Sequence, residues 1–283
     1  MNRPANNHLL VFTDLDGTLL DHDTYDFSPA SSALAGLQAA KVPLILCSSK
    51  TRAELEYWRG LLHIAHPFIA ENGGAVIIPK NYFAKPFDYD EEREEYRSIL
   101  LGANYHKLRA ALIEIARETC LALAGFGDLT VAQIAALTGL PLNQAAFAQM
   151  READEPFFIE GNPGEEEMQA LERAAKFKGL RITRGGRFFH LTGDSDKGKA
   201  VRRLVPLYQA EWQQSIRTVG FGDSLNDLPL LQAVDVPILV RKKNCEADWE
   251  VWAQIKDARL TNSAGPAGWN EAVWEILNFT FKK

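Results

Sequence analysis

The run Val11-Phe12-Thr13-Asp14-Leu15-Asp16-Gly17-Thr18-Leu19-Leu20 constrains this chain more than any other stretch. Leu9 to Phe12 are apolar, short and flanked by polar residues, the pattern of a buried strand. Asp14 and Asp16 follow with one residue between them, a spacing that puts both carboxylates on one side of extended backbone. Gly17 then lets the chain turn away sharply and leaves the pair at a strand tip. Asp16-Gly17 alone reads as a solvated turn. The full string calls for more, and the rest of the chain is read around it.

The same arrangement of strand, polar tip and helix recurs. Val42 to Cys47 lead into Ser48-Ser49-Lys50-Thr51-Arg52 and a helical segment from Ala53. Pro67 to Ala70 lead into Glu71-Asn72-Gly73-Gly74 and the run Ala75 to Ile78. After Gly193 come a helix from Lys197, a strand from Thr218 to Gly222, the tip Asp223 to Asp227, and Val236 to Val240 as the last core strand. Such alternation predicts an α/β fold, a Rossmann-like doubly wound parallel sheet whose functional residues gather at the carboxyl ends of its strands. The middle of the chain differs. Lys85 to Arg97 are crowded with charge and read as a solvated connection or helix face. Helices over Tyr105 to Cys120, Val131 to Leu137, Leu142 to Arg151 and Pro163 to Lys178 accompany a strand at Phe157 to Ile159 and a hairpin turning at Gly185-Gly186. This predicts an inserted α+β lid over residues 84–191, between core segments 1–83 and 192–283. A length of 283 residues suits one core with a large insertion.

Charge and cysteine content narrow the partners. A formal net charge of −6 argues against a broad nucleic-acid footprint. Cys47, Cys120 and Cys245 are widely separated and odd in number, fitting a reducing cytoplasm rather than a disulfide framework. No apolar run approaches the ~18 residues of a membrane span. Thr130 to Arg151 superficially resemble a helix-turn-helix DNA reader. The second helix, up to Met150, carries no Lys or Arg to meet phosphate, so lid architecture is expected instead.

Four polar tips can meet at one sheet edge: Asp14 with Asp16, Ser48, Lys197, and Asp223 with Asn226 and Asp227. Together they suit phosphoryl transfer, which needs in-line positioning and neutralisation of spread negative charge. Asp14 would attack phosphorus to give an aspartyl-phosphate, while Asp16 would protonate the leaving oxygen and later accept a proton from water. A carboxylate approaching a phosphate dianion needs cations, so Mg²⁺ on oxygen ligands is expected, with Lys197 as a second positive charge. Ser48 would donate to a phosphoryl oxygen. Ser49 and Lys199 are the rivals of Ser48 and Lys197.

The strings Asp-Leu-Asp-Gly-Thr-Leu, Asp-Lys-Gly at Lys197, and Gly222-Asp223-Ser224-Leu225-Asn226-Asp227 resemble the motifs of the haloacid dehalogenase-like phosphatases. That resemblance implies a metal on an Asp14 carboxylate oxygen, the Asp16 backbone carbonyl and Asp223, with Asn226 and Asp227 supporting. The lid lies after the third strand, as in the branch acting mostly on phosphorylated sugars. Ser48-Ser49-Lys50-Thr51, Glu71 to Gly74, Arg151 to Phe157 and Gly185 to His190 are similar to the mannosyl-3-phosphoglycerate phosphatases. The implied substrate is mannosyl-3-phosphoglycerate, with glucosyl-3-phosphoglycerate, general sugar phosphates and phosphohexomutase chemistry as alternatives. Lys50, Asn72, Gly73, Gly74, Arg151, Glu155, Arg187 and His190 are the candidate substrate-binding residues. Among them a guanidinium fork from Arg151 or Arg187 would take a carboxylate, Glu155 and Asn72 would accept sugar hydroxyls, and amides near Gly73-Gly74 would approach an anion.

Overall fold

Along His8–Thr13 the side chains bury themselves in two directions, Leu9 and Val11 into one apolar layer and Leu10 and Phe12 into another. A strand buried on both faces belongs in the middle of a parallel sheet, and complete burial of a residue such as Phe12 stabilises by roughly 1.5–3 kcal/mol. The computed structural model, which describes residues 8–93, 95–184 and 188–281, has it there. The five-stranded parallel sheet runs Arg259–Ala264, Val236–Arg241, Ile216–Gly222, His8–Thr13, Leu44–Leu46. Leu37 of the helix Ser31–Ala39 and Trp269 and Val273 of Gly265–Phe281 pack on one face. Val201, Leu204 and Tyr208 of Lys197–Trp212 pack on the other. This is the doubly wound α/β fold expected.

Three expectations are corrected. Val236–Arg241 is not the last core strand, because Arg259–Ala264 follows it and pairs outside it. An edge strand keeps one side in water and tolerates the mixed sequence Arg-Leu-Thr-Asn-Ser-Ala, which hid it. Phe68–Ala70 joins the core through a bridge between Cys47 and Ile69, and the run from Ala75 turns back on it as an antiparallel strand, Ala75–Pro79, so this third unit departs from the parallel strand-to-helix pattern. The charged stretch 85–97 holds strands: Tyr96–Leu100 pairs with Ala75–Pro79 and Glu91–Glu92 pairs outside that. These two strands fall within the segment expected as lid, yet they extend the core-side sheet. Lys80 and Arg97 neutralise Glu92 along this solvated edge.

A third sheet, antiparallel, runs Leu123–Gly125, Asp154–Ile159, Phe189–Thr192, Arg181–Arg184. Tyr105–Thr119 and Glu165–Phe177 cover one face through Leu108, Ile115 and Leu171. The short helices Val131–Thr138 and Leu142–Gln149 form a separate apolar cluster with Phe126. The expected turn at Gly185-Gly186 lies outside the described residues. Among the described residues no helix is long and apolar enough to cross a membrane.

Candidate active site

The parallel strands end their polar tips in one place. The Asp14 amide donates to the Phe221 carbonyl at 2.9 Å, drawing together the ends of the two central strands. Lys197, the first residue of its helix and fully buried, donates to Oδ1 of Asp14 and to Oδ1 of Asp227, each at 2.6 Å. The other oxygen of Asp227 accepts from the amides of Asp223 at 3.0 Å and Ser224 at 3.2 Å. Asp227 is thereby used up in holding the lysine and its own loop.

Ligand oxygens of Asp14, Asp223 and Asp227 lie within 4.8 Å of one another. Burial, then the Asp227 charge, pushes Asp14 up to about 7 despite Lys197. Burial, then Asp227 and Asp14, pushes Asp223 well above the carboxylate range. Burial alone would lower Lys197, but Asp14 and Asp227 outweigh it and hold the ammonium above its ordinary value. Fully ionised, the cluster would carry more negative charge than its one lysine balances, on hard oxygen donors that suit a divalent cation.

Asp16 sits at the cavity edge, where Gly17 takes the left-handed φ of +78° that the turn requires. Its Oδ2 pairs with Lys50 Nζ at 2.8 Å, while Oδ1 is buried with no partner among the described residues. Ser48 is buried, and its Oγ accepts from the Lys50 amide at 3.3 Å. Of Ser48 and Ser49, it is Ser49 that lines the cavity. Lys199 pairs with Asp194 on the surface, away from the cluster.

These tips border a cavity of about 660 Å³. Asp16, Lys50, Asp223 and Asn226 form one wall; Phe126, Arg151, Pro156, Phe188 and His190 form the other. His22, Tyr25, Lys242 and Lys243 also reach it, none anticipated from sequence. Lys242 and Lys243 begin just past the parallel strand Val236–Arg241, so the carboxyl-end rule could have found them.

The candidate substrate residues divide. Lys50 is buried between Asp16 and Glu54, whose charges hold its ammonium above the ordinary value despite burial. Arg151 faces the cavity but is largely engaged: Nε donates to the Ala148 carbonyl at 2.8 Å and Nη1 to the Ser49 carbonyl at 2.7 Å. It clips the lid to the serine loop. Asn72, at φ 53°, donates to Asp154 at 3.0 Å and accepts weakly from Asn226 at 3.4 Å. His190 lines the cavity with Nδ1 on Asp154. Arg187 lies outside the described residues.

Three expectations fail here. A Cβ at Gly73 would stand 2.2 Å from the Asp196 carbonyl oxygen, and one at Gly74 would stand 2.5 Å from Ala153 Cβ. Both glycines serve close packing, Gly73 against the backbone that presents Lys197, rather than anion contact. Glu155 is completely buried inside the lid, accepting from Arg109 at 2.8 Å and the Gly127 amide at 3.1 Å. Burial raises its pKa above the usual range against the Tyr105 hydroxyl, Gly127 and Arg109. Strand alternation turns Glu155 inward with Phe157, and its neighbour Asp154 outward with Pro156. Parity with the apolar Phe157 was the signal in the sequence that points to Asp154. The helix pair at 131–149 contributes Ala148 to the cavity wall, and Thr51 Oγ1 donates to its Phe147 carbonyl, so it is a lid element facing the site.

A parallel sheet with acidic residues at its strand tips, facing an inserted lid, is the architecture of a phosphotransfer hydrolase, and residues 11–109 match the family model of the haloacid dehalogenase-like hydrolases. Over 272 residues the chain is 42% identical to a glucosyl-3-phosphoglycerate/mannosyl-3-phosphoglycerate phosphatase of Methanococcoides burtonii, covering 95% of this chain and 97% of that one. A phosphatase of the same description from Persephonella marina is 40% identical over 271 residues, covering 95% and 97%. Among solved structures, a phosphatase of the haloalkanoate superfamily from Bacteroides thetaiotaomicron shares the fold, with a TM-score of 0.65 and 18% identity over 99% of this chain and 97% of that one. The chain belongs to the glucosyl-3-phosphoglycerate/mannosyl-3-phosphoglycerate phosphatase family within the haloacid dehalogenase-like hydrolases. It is a phosphoric monoester hydrolase.

Proposed function

We propose that this enzyme hydrolyses glycosyl-3-phosphoglycerates, mannosyl or glucosyl, to the glycosylglycerate and inorganic phosphate, with residues 104–192 as the lid that selects the substrate. The observation that carries this reading is the cavity of about 660 Å³ between a charged core wall and a mixed lid wall, a size suited to a small glycosylated ligand. The names of the two relatives supply the substrate class.

In the proposed reaction Asp14 attacks phosphorus in line and the ester oxygen leaves with a proton from Asp16. Water then attacks the aspartyl-phosphate, its proton taken by Asp16, and Asp14 is regenerated. Asp16, at the cavity edge with its Oδ1 unpartnered among the described residues, supports this role as the group that gives and takes that proton. Lys197, fixed by two short bonds, supplies a stationary positive charge beside the nucleophile at no reorganisation cost. A Mg²⁺ ion would be held by the carboxylates of Asp14 and Asp223 and the Asp16 carbonyl, with Asn226 and Asp227 supporting, and would supply charge neutralisation of the phosphoryl oxygens. Ser48 or Ser49 would donate to a phosphoryl oxygen. Lys50 and Arg151 would face the glycerate carboxylate across the cavity.

The test is phosphate release from mannosyl-3-phosphoglycerate, glucosyl-3-phosphoglycerate, 3-phosphoglycerate and hexose phosphates, with and without Mg²⁺. A kcat/KM at least ~10-fold higher for a glycosyl-3-phosphoglycerate is expected, from the extra contacts on the lid wall. Equal slow release from all four sinks the substrate.

A further inference from the structure

In the lid sheet His190 stands opposite Pro156, and Thr192 opposite Asp154. Because side chains alternate along a strand, Asp154, Pro156 and His190 share the face turned to the cavity. His190 and Pro156 line that cavity, and Asp154 lies completely buried behind them. Its Oδ2 accepts from His190 Nδ1 at 2.8 Å and from Asn72 Nδ2 at 3.0 Å. The nearest guanidinium nitrogen, Arg151 Nη1, is 4.0 Å away.

A carboxylate only accepts hydrogen bonds, so the proton of a neutral His190 ring belongs on Nδ1 and Nε2 is left with its lone pair. Nε2 has no partner among the described residues. With the ring neutral, that acceptor cannot bind an ionised phosphate or carboxylate oxygen, which is also an acceptor, and takes a hydroxyl instead. The other partner of Asp154 is held in place by its own backbone: the Asn72 main-chain N–H donates to the Ser48 carbonyl at 3.0 Å, within the loop that borders the nucleophile.

We infer that Asp154 and His190 form a hydroxyl-reading dyad, with His190 Nε2 accepting a hydrogen bond from a hydroxyl of the glycosyl unit and Asp154 as the positioning residue that sets the ring's tautomer and angle. This rests on the function proposed above and specifies which part of the substrate the lid wall reads. The phosphate end lies on the core wall with Lys197 and Asp14, so the hydroxyl-bearing end reaches the lid.

Two measurements test it. Long-range nitrogen–proton correlation spectra of ¹⁵N-labelled enzyme, at a pH where imidazoles are neutral, report the tautomer, with His190 assigned by its absence in His190→Gln. Wild type should show the proton on Nδ1, and Asp154→Leu should lose that bias. A proton on Nε2 in the wild type overturns the dyad. In the second measurement, wild type and variants hydrolyse the parent glycosyl-3-phosphoglycerate and a series of its monodeoxy analogues. Wild type should disfavour one deoxy analogue by about 10-fold or more in kcat/KM, through KM. His190→Phe should abolish that discrimination, and His190→Gln, which keeps an amide oxygen near the Nε2 position, should restore part of it. Equal discrimination by wild type and His190→Phe overturns the inference. Failure on every glycosyl-3-phosphoglycerate sinks the proposed function, and the tautomer spectra still decide the dyad.

Discussion

On the core wall, three carboxylates crowd within 4.8 Å around a single buried lysine, and two of them are pushed up by burial and by one another. Across the cavity, Arg151 spends two donors on lid and core carbonyls, Asp154 is bonded by His190 and Asn72, and Phe126 and Phe188 complete an apolar surface. One wall holds more carboxylates than its single lysine can balance and suits a cation. The other is satisfied by protein partners and leaves few polar atoms for a ligand. In the reaction proposed above, the first wall would carry the chemistry and the second the selection, because fixed charges beside the reacting phosphorus act on the transition state while the lid wall meets the rest of the substrate.

Substitutions on the core wall should act chiefly on turnover. Asp14→Asn is expected to lower kcat by on the order of 10⁴-fold or more with an unchanged circular dichroism spectrum, as removal of a nucleophile does. Retained turnover would exclude Asp14. Chelation should abolish activity and added Mg²⁺ should restore it, so a chelator-insensitive enzyme would show that the acidic cluster holds no catalytic ion. Lys197→Met leaves Asp14 and Asp227 buried without their counter-charge, and thermal unfolding should reveal a loss of about 3–5 kcal/mol along with the loss of activity.

Lid-wall changes should divide differently. Arg151→Lys cannot reach the Ala148 and Ser49 carbonyls together, so steady-state kinetics should show KM for the glycosyl substrate raised by ~10-fold with kcat within ~3-fold. A fall in kcat at constant KM would erase the distinction between the walls. The smallest effect concerns Glu71, which accepts from the amides of Glu152 and Ala153 at the seam between core and lid. Burial pushes it up to about 8 from 4.5, against Arg151 and those amides. The native state therefore keeps a proton that the unfolded chain releases, and the stability so gained is complete below about 4.5 and lost as pH rises through about 8. Melting curves of Glu71→Gln should fall less steeply than wild type over that window; parallel curves would show that Glu71 is already ionised.

Much of the core wall was legible because it is written in short strings. A strand, a turn and a helix start fix the local geometry of Asp14 and Asp16 or of Asp223 to Asp227 within a few residues, and parallel topology brings every such tip to one edge. The lid wall was legible only in part. The string offers Glu155 beside Asp154, although the buried Phe157 shares the parity of Glu155, and it offers Gly73 and Gly74 as anion contacts, although the Asp196 carbonyl and Ala153 Cβ fill the space where their side chains would stand. Arg259–Ala264 and Glu91–Glu92 are not legible because an edge strand needs only one covered side, so its composition resembles a loop.

By itself the sequence determined the doubly wound core, the inserted lid and the identity of the acidic cluster, since these follow from apolar periodicity and from turn residues close together in the chain. Tertiary structure alone decided that Lys197 bridges Asp14 and Asp227, that Asn72 links Asn226 to Asp154, and that Arg151 clips the lid to the Ser49 carbonyl. Those contacts join residues from 30 to 183 positions apart. No local propensity encodes such a distance, and only tertiary packing, within the core and across to the lid, brings the partners within hydrogen-bond reach.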